Sequence, residues 1–199
     1  MYPIPIEQLI KAFAKLPSVG RRSAERFVFH LLKSGKKDVA ELGKALHNLM
    51  QSIESCQLCW DFSDASPCTI CADQKRDQST ICVVAEPQDM RAIERTKQYS
   101  GVYHILRGTI NPDVEHVGKY IKSQELMNRI SKGSITEIIL ALNPNMRGET
   151  TMLFLEKKLA AEATHVKVSR LARGLPMGSD VQYADEITLA SALEHRTTK

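Results

Sequence analysis

Cys56-Gln57-Leu58-Cys59-Trp60-Asp61-Phe62-Ser63-Asp64-Ala65-Ser66-Pro67-Cys68-Thr69-Ile70-Cys71 carries two C-x-x-C pairs separated by eight residues. Two such pairs in one short loop can direct four thiolates at a single tetrahedral ion. A 16-residue segment has too little apolar mass to fold alone, and metal binding supplies the missing folding free energy. Disulfides, a redox dithiol and an iron–sulfur cluster are the competing readings of the same residues. Disulfides require an oxidising compartment, whereas the chain opens Met1-Tyr2-Pro3-Ile4-Pro5-Ile6-Glu7, with no basic segment leading into an unbroken apolar stretch. The expected location is therefore cytoplasmic. The paired spacing favours one structural Zn2+ per chain held by Cys56, Cys59, Cys68 and Cys71, although the gap is shorter than the commonest ribbon spacing. A closed four-thiolate shell has no open position, so such an ion stabilises and does not catalyse. Cys82, inside the run Ile81-Cys82-Val83-Val84-Ala85, reads as a small buried hydrophobe.

Around that loop, 199 residues leave room for one medium domain or two small ones. A hydrophobic share of 43% with 25% charged residues is ordinary for a globular chain. Repeats, low-complexity tracts and bilayer-length apolar runs are absent from the sequence, which argues against a membrane protein.

The net charge of +4 is unevenly spread. Residues 1 to 50 hold nine Lys/Arg against four acids, a balance of +5, and the rest of the chain stands at −1. A basic N-terminal quarter attracts polyanions, while a solvated helix face is the plainer reading of charge alone. The local pattern favours the former. Ile6, Leu9, Ile10, Phe13 and Leu16 recur at helical spacing until Pro17, a Pro17-Ser18-Val19-Gly20 turn follows, and Ala24, Phe27, Val28 and Leu31 define the inner face of a second helix. The open backbone amides at the start of that helix, at the positive end of its dipole, suit a phosphate. Arg22 and Arg26 share one side of it, with Arg21 beside them, and are the expected phosphate contacts. A third helix is expected from Asp38, capped with Glu41 and carrying Val39, Leu42, Leu46, Leu49 and Ile53.

Beyond Asp77 the pattern alternates. Strands are expected at residues 80–85, 102–106, 137–142 and 166–169. Helices are expected at 125–132 and 151–163, with another after 86–89 in which Asp89 is the cap. This order implies an α/β fold with a largely parallel sheet whose functional loops lie at the strand C-termini. Two loops qualify: Glu86-Pro87-Gln88-Asp89 and Asn143-Pro144-Asn145-Met146-Arg147-Gly148-Glu149.

Leu16-Pro17-Ser18-Val19-Gly20-Arg21-Arg22-Ser23-Ala24 resembles the helix-hairpin-helix core L-P-G-V-G-x-[KR]-[ST]-A of DNA repair proteins, with Ser18 in place of the first glycine. That motif, the four-cysteine loop, a strand followed by E-P-x-D, an N-P-x-x-x-G-E loop and the tail Ser169-Arg170-Leu171-Ala172-Arg173-Gly174-Leu175-Pro176-Met177-Gly178 resemble, in this order, the RecR family of bacterial recombination mediators. The resemblance covers essentially the whole chain. It implies a helix-hairpin-helix region at 1–54, a zinc finger at 55–72, a Toprim domain at 79–173 and an oligomerisation segment at 174–199. It further implies a tetrameric ring lined by the basic helix-hairpin-helix faces, the partners RecO and RecF, and nucleoid association when bound to DNA. Glu86, Asp89, Arg147 and Glu149 are the candidate partner-binding residues on the Toprim face.

Active Toprim enzymes hold magnesium with a glutamate after the first strand and a D-x-D after a later one, because the hard ion requires carboxylate oxygens. Here the D-x-D place reads Asn143-Pro144-Asn145, strict alignment puts Ala85 where the glutamate belongs with Glu86 one position on, and Arg147 replaces the family's usual glutamate. Helix capping and dipole pairing are the plain roles for Asp89 and Glu149. No phosphate-binding G-x-x-x-x-G-K-[ST] occurs, and His30, His47, His104, His116, His165 and His195 are scattered spectators. Trp60 and Phe62 could stack bases but more simply pack on the knuckle. The sequence thus points to a non-enzymatic DNA-binding recombination mediator. A metal-dependent nuclease or topoisomerase-like enzyme, and a zinc-dependent protein scaffold, are the alternatives.

Overall fold

The computed structural model describes residues 2–113 and 120–196. His116 and the last three residues of the expected C-terminal segment lie outside them. Two compact units result, residues 1–53 and 54–199.

The first unit is helical: α1 (Ile4–Phe13), α2 (Arg21–Ser34) and α3 (Lys36–Ser52). Pro5, near the start of α1, costs nothing, since the first amides of a helix have no intrahelical partner. A small core of Ile10, Ala24 and Val28, flanked by Ile6, Phe13 and Val19, joins α1 to α2. Phe27, expected inside, is 45% exposed and lies edge-on to Phe13. The expected cap of α3 at Asp38 and Glu41 is corrected. Gly35, at φ +96°, ends α2 and starts α3 at once, so Asp38 falls inside the first turn and no side chain caps the helix. None of α3 is buried, and Val39, Leu42, Leu46, Leu49 and Ile53 form an exposed apolar stripe.

The hairpin turn explains its own sequence pattern. Ser18 sits at φ +62°, in the left-handed region that costs an L residue about 1–2 kcal/mol and costs glycine almost nothing. Ser18→Gly is therefore expected to raise stability by ~0.5–1 kcal/mol, part of the relief being lost to glycine's greater freedom when unfolded. A urea midpoint unchanged or lowered in that variant would contradict this account of the turn.

The second unit begins with a two-stranded antiparallel ribbon, β1 (Glu54–Ser55) and β2 (Phe62–Ser63), and a short helix α4 (Thr69–Ala72), which together form the cysteine loop. Then come β3 (Asp77–Val84), α5 (Pro87–Arg95), β4 (Gly101–Ile105), α6 (Ser123–Lys132), β5 (Glu137–Leu140), α7 (Met146–Glu162) and β6 (Lys167–Arg170). A 3-10 turn (Val181–Tyr183) and α8 (Glu186–Glu194) complete the described chain. The sheet has the order β4-β3-β5-β6 and every pairing is parallel. Successive side chains of a strand face opposite ways, which divides the core. Ile81, Val83, Val102, Ile138 and Leu140 pack with Leu126, Met127 and Ile130 of α6 and Met152, Leu155 and Leu159 of α7. Cys82, Val84, Tyr103 and Ile105 pack with Met90 of α5 and Ile70 of the cysteine loop. Burial alone pushes the Cys82 thiol up to about 12, so it remains a neutral hydrophobe.

The largest boundary correction is α7, which starts at Met146 and not at Thr151. Asn145 caps it by accepting from the Gly148 amide at 2.9 Å, and residue 148 has to be glycine because a Cβ there would lie 1.9 Å from the Asn143 carbonyl.

Candidate metal centre and nucleic-acid interface

Cys56, Cys59, Cys68 and Cys71 are all buried, and their sulfur atoms lie within 4.8 Å of one another. The Cys59 and Cys68 sulfurs are 3.6 Å apart, close to the ~3.8 Å edge of a tetrahedron built on Zn–S bonds of about 2.3 Å. The residues therefore fit a tetrahedral ion. Without one, the thiols share protons: hydrogen bonds from Cys59 and Cys71 drive the Cys68 thiol far down, and the bond to Cys68 drives Cys59 far up. A metal replaces that arrangement with four thiolates on one cation.

The loop is fastened to the sheet by contacts that sequence spacing does not reveal. The Ile105 amide donates to the Cys59 carbonyl at 2.8 Å, and one Arg129 nitrogen, Nη1, donates to the carbonyls of Leu58 and Tyr103. The outer edge of β4 is thus covered. Arg107 donates to the Trp60 carbonyl and to Ser55, and its guanidinium lies 3.5 Å over the Phe62 ring. Asp61, buried, takes a 2.9 Å ion pair from Arg91 of α5. Burial raises the Asp61 carboxyl and Arg91 counters it, which keeps the pair matched. His104 is fully buried on β4, and burial holds it down at about 4. Its Nε2–H donates to the Lys122 carbonyl at 2.7 Å, because a carbonyl can only accept.

At the C-terminal ends of β3 and β5 lies a cleft of about 300 Å³ lined by Asp89, Leu142, Asn143, Pro144, Arg170 and Arg173, among others. Glu86, and not Asp89, is the N-cap of α5. Asp89 occupies the third helical position and accepts from the Glu86 amide at 3.0 Å, so the two form a reciprocal capping box. Glu149 lies in the first turn of α7, as expected, but it also pairs with Arg170 at 3.3 Å and with Arg173. Arg170 is further clamped by Glu156 through two 2.7 Å bonds. Arg147 is exposed, with no acid partner among the described residues. The cleft therefore presents neutral amides, ion-paired arginines and one carboxylate, Asp89, bonded to the Glu86 amide, where an acidic metal site would need several free carboxylates.

On the helical unit, no side chain caps the start of α2, which leaves its first amides open. Arg22 and Arg26 are exposed and have no ion pair among the described residues. Arg21 differs: it grips Glu7 with two bonds of 2.9 and 3.1 Å and approaches Glu25, so it ties α2 to α1.

Residues 6–50 match the family profile of the RecR helix-hairpin-helix, residues 79–172 that of the Toprim domain, and residues 174–197 that of the RecR C-terminal region. Over 196 residues the chain is 43% identical to a protein of Clostridium perfringens described as recombination protein RecR, and the match covers 98% of both chains.

Proposed function

The chain belongs to the RecR family of recombination proteins, and from that premise we propose that it is a DNA-binding mediator without enzymatic activity, which helps load recombinase at single-stranded gaps together with RecO and RecF. The observation that carries the DNA reading is the coincidence, on α2, of open N-terminal amides with two exposed and uncommitted arginines, Arg22 and Arg26. Such a surface binds phosphates and reads no bases, so little sequence preference is expected. Arg21 serves this surface indirectly by holding α2 against α1. Zinc is the proposed ion of the four-cysteine centre, in keeping with all-sulfur tetrahedral ligation.

Catalysis is disfavoured by the cleft's chemistry. Asn143 and Asn145 offer no charge, Asp89 is spent on the helix cap, and Glu149 is neutralised by Arg170 and Arg173. Purified protein supplied with magnesium or manganese should neither cut nor relax supercoiled DNA. Cleavage that disappears in Glu86→Gln would overturn the reading in favour of a Toprim enzyme.

The same face is the proposed partner surface. Glu86 and Arg147 are exposed at the two loops there, Glu86 while its side chain caps α5, and Asp89 and Glu149 set the shape of the surface through their internal bonds. The exposed stripe of α3, with Val181, Tyr183, Ile187 and Leu193 of the C-terminal segment, supports self-assembly through both ends of the chain. A four-part division at 1–54, 55–72, 79–173 and 174–199 belongs to this reading, as does a cytoplasmic, nucleoid-associated location. Among the described residues no helix is long and apolar enough to cross a membrane.

A further inference from the structure

Between the cysteine loop and α6 runs a groove of about 420 Å³ lined by Gln57, Leu58, Trp60, Glu125, Asn128, Arg129 and Lys132. Its volume is in the range of small-molecule sites. Trp60 is half-buried and sits at φ +66°, a region in which a bulky aromatic is a true outlier. Besides the bond of its own amide to the Cys56 carbonyl at 2.9 Å, three contacts hold it there. Arg107 bonds its carbonyl, the preceding carbonyl of Cys59 accepts from Ile105, and the Lys122 ammonium lies 4.0 Å over the ring. Lys122 is itself fixed by its carbonyl bond to His104. Such strain persists only where the surroundings over-determine it, and here it keeps the only tryptophan of the chain at a groove wall instead of in the core.

The charges of the groove favour an anion beside the ring. Glu125 is neutralised by Lys122 at 2.8 Å, while Lys132 has no acid partner and Arg129 has Nε and Nη2 unbonded among the described residues. Asn128 and Gln57 add amides that can donate to and accept from a polar ring edge. An aromatic ring held by Lys122 on one face and bordered by the free ammonium of Lys132, the two open nitrogens of Arg129 and two amides has the recognition chemistry of an unpaired nucleobase with its phosphates. In a duplex the base faces are stacked and closed to the ring.

We propose that this groove is a second nucleic-acid contact, in which a base of single-stranded DNA stacks on Trp60 while Arg129 and Lys132 meet the adjoining phosphates. The inference rests on the reading that the chain binds DNA, and adds to it a preference for single strands.

The sole tryptophan is its own reporter. Oligothymidylate should quench its fluorescence in the parent protein, and a duplex of equal length should not. Trp60→Leu and Lys132→Glu should each weaken oligothymidylate binding, followed by the anisotropy of a labelled strand, by roughly tenfold, and leave duplex binding within about twofold. Lys132→Glu retains the tryptophan, so an unshifted emission spectrum certifies that the loop is intact. Equal quenching by both DNAs, quenching by an acidic peptide in place of the strand, or variants that bind the strand as tightly as the parent would each overturn the proposal. If labelled duplex and single strand both fail to bind the parent, the DNA reading itself falls, and this inference with it. If both bind and Trp60 does not respond, the inference alone falls.

Discussion

Cys68→Ser should abolish stoichiometric metal binding and leave a protein that aggregates. Elemental analysis of the parent is expected to give one zinc per chain, and the variant close to none, because three thiolates cannot close the shell. The loss is large because the ion substitutes for a core: apparent binding free energies of structural zinc are on the order of 10 kcal/mol, comparable to the whole stability of a domain. It also spreads into the sheet. With the loop unfolded, the Cys59 carbonyl no longer receives the Ile105 amide, and the carbonyl-bonded Arg129 loses Leu58, so the outer edge of β4 is opened to pairing with other chains. Hydrogen exchange at Ile105 should accelerate in Cys68→Ser before the rest of the sheet responds. Cys82→Ser is the control. Its thiol lies outside the cluster and packs against α5, so metal content should be unchanged. Stoichiometric iron, or a metal-free parent that is fully folded, would refute the assignment.

The four-cysteine cluster was legible because its signal is local: four cysteines at fixed spacing need no knowledge of the rest of the fold. The same holds for the alternating strands and helices, each announced by its own periodicity. What spacing could not show are the residues that bind the loop to the sheet. Asp61–Arg91, Arg107–Trp60 and Arg129–Leu58 join positions 30, 47 and 71 apart, and arginines reveal no partner in a linear pattern. Boundaries failed where a cap overrode the apolar pattern, as Asn145 does by starting α7 ahead of its first apolar run. The stripe on α3 was read correctly as periodic, yet periodicity says nothing about whether a face meets its own core, and this one does not. Arg21 shows what a linear pattern hides. Three neighbouring arginines look alike in sequence, and only their pairing separates Arg21, bound to Glu7 and near Glu25, from Arg22 and Arg26, which have no ion pair among the described residues.

Arg22→Ala combined with Arg26→Ala should weaken binding to unrelated DNA sequences by a similar factor. A hydrogen bond to a charged group is worth about 1.5–3 kcal/mol, so each arginine should count for roughly tenfold or more. Every phosphate contact removed should also flatten the plot of log K against log salt by about 0.9. Folding should change by less than ~0.5 kcal/mol, since both side chains are exposed and make no ion pair among the described residues. Arg21→Ala supplies the contrast: it should lower the unfolding midpoint by loosening α2 from α1, because it breaks the Glu7 pair. In a ring the slope change is multiplied by the number of subunits that touch the DNA, so a fall of several units would count those subunits. A double variant that binds as tightly as the parent at ~0.15 M salt, where exposed charges are screened beyond about 8 Å, would remove α2 from the DNA surface. The retained binding would then have to be carried by another surface, the groove beside Trp60 being the first to test.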